Sequence, residues 1–289
     1  MAHTILDLDA YQKAQDLVIK KWLVKTASTL FPKRVVAFAY HQLTSPQIRK
    51  LRPNELVVLD QSQRETFKFQ DFDIQLYTWK GGPKSVLLIH GWEGQAGNFA
   101  DLIQELQQQG YTIYAFDAPS HGFSSTGKTS LFEFTELVGV LIKKFQVNKL
   151  VSHSFGGVAT TYALFKNLDL EIERYVLLTV PNRFLERIND VAEQVGITEK
   201  VKHQLIAKLE EETQLNVEDL NVSDFVPHIK VDKALIIHDK NDRVIPIERS
   251  KKVKDDWKNA DFLEITGTGH FRILRTPKVI EQTIAFLNS

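Results

Sequence analysis

The chain has 289 residues, 43% of them apolar and 25% charged, the balance of a globular protein with a sizeable core. Its 36 basic and 36 acidic residues cancel, so no net field draws it to nucleic acid or an anionic membrane, and it lacks cysteine, which excludes disulfides and thiolate metal sites.

The start, MAHTILDLDAYQKAQ, has no apolar signal core, and no run of about 18 apolar residues follows it, so a soluble, cytoplasmic protein without an integral membrane segment is expected. Residues 10–31 place Tyr11, Ala14, Val18 and Trp22 at spacings of three and four, which predicts an amphipathic helix. Its lysines allow a membrane-surface role. The neutral chain favours a helix laid on the protein's own body.

From residue 55 short β-rich runs take over. ELVVLD and DIQLYTWK read as early strands, and the turn Gly81–Gly82–Pro83 leads into SVLLIH. YTIYAFD, KLVSH, RYVLLTV, ALIIHD and DFLEIT follow, most of them separated by helical stretches. Continuous apolar runs of this kind suit parallel strands covered on both faces, so the expected class is α/β. About 50 residues, Asn182 to Asp232, interrupt the alternation and contain the charged helical run TEKVKHQLIAKLEEE. That is too long for a simple crossover and reads as a helical cap inserted above the carboxyl ends of the strands.

Several strand ends carry candidate chemistry. KLVSH runs into Ser152–His153–Ser154–Phe155–Gly156–Gly157 and then a helix-compatible stretch, a variant of the nucleophile elbow G-x-S-x-G with Ser152 in place of the first glycine. A serine in a glycine-rich turn is also an ordinary turn residue. His90, Gly91 and Trp92 follow SVLLI, where a loop can turn a second backbone N–H, that of Trp92, toward an oxyanion already faced by the Phe155 N–H. His270 lies in the glycine-rich GTGHF after DFLEIT. Two carboxylates compete to orient it, Asp239 and Asp242, and Asp242 is favoured because it stands three residues beyond the strand end.

With Ser154, Asp242 and His270 in that order, the chain from about residue 55 onward resembles the α/β-hydrolase superfamily. The resemblance implies an eight-stranded, mostly parallel sheet with helices on both faces, a catalytic triad and a cap. The expected division is an N-terminal helical extension at 1–54, a core at 55–181 and 233–289, and the cap at 182–232. His90, Gly91, Trp92, His153 and Phe271 are the expected substrate-pocket residues.

A second motif competes. Gly122 to Thr129, GFSSTGKT, fits the phosphate-binding pattern G-x-x-x-x-G-K-[ST]. It is also explained by the segment D-x-P-G-x-G-x-S found in many α/β hydrolases, here DAPSHGFS, and Pro119 distances Gly122 from its strand. His121 and His153 have no acidic neighbour at metal-ligand spacing, so no metal is expected. Arg272 and Arg275 could hold an anion or bond a helix end, and the structural role is favoured.

These readings converge on a cofactor-independent serine hydrolase, a carboxylesterase or thioesterase acting on a small-molecule ester or thioester, with no nucleic-acid partner. Amide, peptide or carbon–carbon cleavage and acyl transfer fit the same fold. A non-catalytic ligand-binding protein and a nucleotide binder are the readings from other classes. Substrate identity and oligomeric state are not encoded in any of these motifs.

Overall fold

The computed structural model describes residues 21–48 and 50–289, so Tyr11, Ala14 and Val18 of the expected first helix lie outside the described residues. The chain divides into two compact units. The larger runs from Thr44 to Arg183 and from Asn221 to Ser289; the smaller joins the described residues up to Leu43 to Phe184–Leu220.

The larger unit is built on one eight-stranded sheet of order β1-β2-β4-β3-β5-β6-β7-β8. The strands are β1 (Gln63–Phe69), β2 (Phe72–Trp79), β3 (Ser85–Ile89), β4 (Thr112–Phe116), β5 (Lys149–His153), β6 (Glu171–Leu178), β7 (Lys230–Asp239) and β8 (Ala260–Ile265). β2 is antiparallel to both β1 and β4, and every other pair is parallel. The apolar runs of β3 and β5–β7 end up buried because helices cover them. One set of packed helices comprises α2 (Pro53–Asp60), α3 (Ala100–Gln108) and α11 (Pro277–Asn288). The other comprises α4 (Leu131–Phe145), α5 (Phe155–Lys166), α8 (Val222–Phe225) and α9 (Ile247–Asp256). Alternate strand residues Val86, Leu88, Val151, Val176, Leu178 and Ile237 share one cluster with Leu102, Leu106, Val279 and Leu287 of α3 and α11.

One expected strand is a helix. ELVVLD belongs to α2: Pro53 presets the first turn, and the Glu55 carboxylate reaches back to the Arg52 N–H at 2.7 Å. A short apolar run has no decisive period, and here the start signals prevailed. The first strand is instead the polar QRETFKF, an exposed edge joined to β2 by a tight turn at Gln70–Asp71.

The smaller unit is helical. Residues 21–30 form a helix, followed by α1 (Pro32–Thr44), α6 (Phe184–Val195) and α7 (Glu199–Thr213). Its core joins Ala39 and Tyr40 of α1 to Ile188 of α6 and to Leu205 and Leu209 of α7. The Tyr40 hydroxyl donates to the Glu212 carboxylate, and Lys208 lies 4.7 Å from the Tyr40 ring centroid. Residues 1–54 and 182–232 are separate segments by sequence; contacts instead place most of the second with the end of the first. The larger unit closes where the chain leaves and returns: Arg183 bridges Asn221, and the Ser223 N–H donates to Asn182 Oδ1 at 2.9 Å.

Candidate active site

Ser154 occupies the bend between β5 and α5 with φ +52° and ψ −122°, a left-handed conformation rare for a residue with a side chain. The bend is held from both sides, by the Ser154 N–H donating to the Leu178 carbonyl at 3.0 Å and the Gly157 N–H to the Ser154 carbonyl at 2.8 Å. It also presses on the end of β3. A Cβ on Gly156 would overlap the His90 carbonyl and lie 2.8 Å from that of Ile89, so no side chain fits there. Ser152 is fully buried and shares a 2.8 Å hydrogen bond with the Tyr175 hydroxyl.

The loop after β3 lies against this bend. A Cβ on Gly91 would be 3.2 Å from Ser154 Cβ. The loop turns at Glu93, whose φ is +60°, and the Glu93 carboxylate accepts the Gln47 N–H at 2.9 Å and the Ile48 N–H at 2.6 Å. That anchor was not legible in the sequence, because the two segments meet only in the fold. Trp92 and Phe155 stack edge to face, with ring centroids 5.3 Å apart. Among the described residues, neither main-chain N–H of the pair donates to a protein acceptor.

His270 and Asp242 meet directly. The His270 Nδ1–H donates to Asp242 Oδ2 at 2.9 Å, while Asp242 Oδ1 accepts the Val244 and Ile245 N–H groups at 2.7 and 3.0 Å. Burial pushes the Asp242 carboxyl up, but the His270 bond and these backbone donors outweigh it and hold it below the ordinary carboxylate range. Asp239 has a different task. Its Oδ2 accepts the Thr268 N–H, the Thr268 hydroxyl at 2.9 Å and the Gly269 N–H at 2.6 Å, and Oδ1 accepts the Asn241 N–H at 2.8 Å. It therefore shapes the loop that presents His270. Arg272 serves the same loop, donating to the Thr268 carbonyl at 3.0 Å.

The remaining expected pocket residues divide by exposure. His90 is buried; its Nδ1–H donates to the Gly91 carbonyl at 2.7 Å and its Nε2 accepts the Ala118 N–H at 2.9 Å. Burial, then the neighbouring His121, keeps its pKa well below the ordinary value. His153 is also buried and donates from Nε2 to the His270 carbonyl at 2.9 Å; burial and the nearby His270 lower it to about 3. Phe271 is 67% exposed and meets the His270 ring edge to face at 4.9 Å. A further histidine unmarked in the sequence, His238, is buried beside the acid, with Nε2 donating to the Ile245 carbonyl at 3.0 Å and 3.7 Å from Asp242 Oδ2.

The phosphate-binding pattern has no phosphate-binding geometry. Five of its eight amides are committed within the protein: Phe123 N–H to Asp117 at 2.8 Å, Ser124 N–H to the His121 carbonyl at 3.0 Å, Ser125 N–H to the Asp73 carbonyl at 2.9 Å, Gly127 N–H to Ser120 Oγ at 2.7 Å and Thr129 N–H to the Thr44 carbonyl at 2.9 Å. A Cβ on Gly122 would overlap the buried Asp117 carboxylate, which puts a negative charge where a phosphate would sit. The following helix, α4, begins only at Leu131, capped by Ser130. Among the described residues, no group of three or more acidic or histidine side chains is arranged to hold a metal ion, and no helix is long and apolar enough to cross a membrane.

Residues 84–194 match the family model described as alpha/beta hydrolase fold. The chain is 22% identical over 247 residues, 71% of its length and 89% of the relative's, to the uncharacterized hydrolase YugF of Bacillus subtilis. It is 42% identical to a pimeloyl-[acyl-carrier protein] methyl ester esterase of Xylella fastidiosa over 50 residues, only 17% of this chain and 19% of that protein. The Pyrococcus furiosus esterase Pf2001 superposes with a TM-score of 0.60 at 18% identity, covering 85% of this chain and 96% of that one. Strand order and family match agree on the α/β-hydrolase fold, with the family match itself running over residues 84–194.

Proposed function

We propose that the protein is a serine hydrolase that cleaves an ester or thioester through an acyl-enzyme. The observation that carries this reading is the His270–Asp242 hydrogen bond of 2.9 Å, found in the same unit as a serine forced to positive φ at a strand-to-helix bend. Because Asp242 accepts the Nδ1 proton, neutral His270 keeps its lone pair on Nε2, the atom needed to take a proton from a serine hydroxyl. Ser154 Oγ attacks the carbonyl carbon and its proton passes to His270 Nε2. The Trp92 and Phe155 N–H groups stabilise the oxyanion, each by a few kcal/mol in comparable sites. Collapse expels the alcohol or thiol with the proton from His270. Water then repeats the sequence on the acyl-enzyme and releases the acid.

An ester or thioester is preferred to an amide because the esterases among its relatives act on acyl–oxygen bonds. The test is labelling of the purified protein by a fluorophosphonate, with the modified residue located by mass spectrometry and Ser154→Ala in parallel. Labelling at Ser154 alone, absent in the variant, is expected. A folded protein that takes no label, or takes it elsewhere, would overturn the reading.

A further inference from the structure

The basic residues of this neutral chain are unevenly spread. From Leu17 to Asn54 there is no acidic residue, and Lys21, Lys25, Lys33 and Arg34 fall in the part that belongs to the smaller unit. The unit's other segment, Phe184–Leu220, carries nine acidic against four basic residues. Among the described residues none of the four arm cations is in an ion pair.

Apolar side chains share this arm and are not buried. α1 buries Val36, Ala39 and Tyr40, the last two in the core they share with Leu205 and Leu209 of α7. Its opposite face shows Arg34 and Phe38, the latter 62% exposed, and Lys33 is exposed in its first turn. Phe31, Arg34 and Phe38 repeat at helical spacing, and the Arg34 guanidinium sits 5.6 Å from the Phe31 ring centroid. Trp22, Leu23, Leu30 and Phe31 are 64%, 54%, 65% and 54% exposed. The uncharged total favoured a helix covered by the protein's own body; of the four residues behind that reading only Trp22 lies among the described residues, and it is exposed.

We infer that the exposed face of residues 21–38 docks on an anionic lipid surface. Aromatic and aliphatic side chains enter the acyl boundary, while lysine and arginine stems bring their charges to the headgroups. The acidic α6–α7 segment is repelled by the same surface, which orients the unit arm-first. A second copy of the chain is a poorer occupant, because pairing this face with itself opposes like charges. The inference does not depend on the proposed hydrolase chemistry.

The test is co-sedimentation of the full chain with vesicles of phosphatidylcholine alone and of phosphatidylcholine with phosphatidylglycerol, at about 0.1 M and about 1 M salt. Binding to the anionic vesicles at low salt is expected, roughly tenfold or more weaker on the neutral vesicles or at high salt. Two triple variants, Trp22→Ala/Phe31→Ser/Phe38→Ser and Lys25→Glu/Lys33→Glu/Arg34→Glu, should each lose about tenfold with unchanged circular dichroism. In the unaltered chain, brominated lipid should quench tryptophan emission, and Trp22→Phe should remove that quenching. No binding by the wild type would overturn the inference. So would binding that both variants retain, or self-association that the aromatic variant abolishes without any vesicle binding.

Discussion

His270 and Asp242 lie 28 residues apart in the chain, yet their side chains meet in one hydrogen bond of 2.9 Å from Nδ1 to Oδ2. The carboxylate has no freedom to leave, since its other oxygen is held by two backbone N–H groups of its own loop. Asp242→Asn keeps the shape but offers an amide that can donate to Nδ1, favouring the tautomer with its proton on Nε2. Under the proposed mechanism kcat falls by about 10⁴-fold with little change in KM. Steady-state kinetics on a p-nitrophenyl ester would decide it, and a loss below tenfold would remove Asp242 from the triad.

Asp239 provides the contrast. It accepts from Thr268, Gly269 and Asn241 and touches no imidazole, so its removal loosens the loop without touching the tautomer. Asp239→Ala should cost about 2–3 kcal/mol of stability, the range for buried donors left unpaired. The test compares urea unfolding of the two variants: Asp239→Ala should be much the less stable and Asp242→Asn the less active.

The division of labour between these carboxylates illustrates what the sequence can carry. Strand ends followed by Ser154, Asp242 and His270 are local features, and local features survive in a linear reading. Seven of the eight strands were legible for the same reason, from apolar runs such as LLI and LII, while the count of eight came from the family resemblance and the polar first strand went unread. Long-range pairing leaves no such trace. Nothing near Glu93 announces that it will hold Gln47 and Ile48, and nothing in α1 announces that it will share a core with α7. ELVVLD misled because four apolar residues in six suit a strand as well as a helix, whereas GFSSTGKT was set aside on its neighbours alone, since a string cannot show which of its amides are already spent.

That last point is testable. With the amides of Phe123, Ser125, Gly127 and Thr129 committed and Asp117 beneath Gly122, ATP or GTP has no donor cradle to occupy. Calorimetric titration with millimolar nucleotide should give no saturable heat, and Lys128→Ala should leave ester hydrolysis within about twofold. Saturable binding lost in the lysine variant would refute this reading of the loop.

Ser154 separates stability from activity. Its φ of +52° is strained for serine and relaxed for glycine. Ser154→Gly should therefore raise the unfolding free energy by about 1 kcal/mol while activity falls at least a thousandfold. Gly156→Ala should do the reverse of the first effect, since its methyl group meets the carbonyls of Ile89 and His90; about 3 kcal/mol lost is expected. Denaturation midpoints of the two variants moving in the same direction would contradict the geometry of the bend.

Finally, the buried histidines fix the acid side of the stability profile. His153 is lowered from 6.5 to about 3, and His90 and His238 are lowered as well, in each case chiefly by burial. Below the ordinary value of 6.5 the unfolded chain takes up protons that the native chain refuses, so stability rises with pH in that interval. For His153 the stability is complete above pH 6.5 and is lost progressively down to about pH 3, by a few kcal/mol in all. Asp239 and Asp242 are lowered too, and their contributions are lost only as pH falls through the carboxylate range, below this window. Urea unfolding between about pH 5 and pH 7 thus isolates the histidines. The wild-type free energy should climb across that interval, and His153→Gln, which can still donate to the His270 carbonyl, should climb less steeply. A flat wild-type profile, or an equal slope in the variant, would show that His153 is not held neutral by its burial.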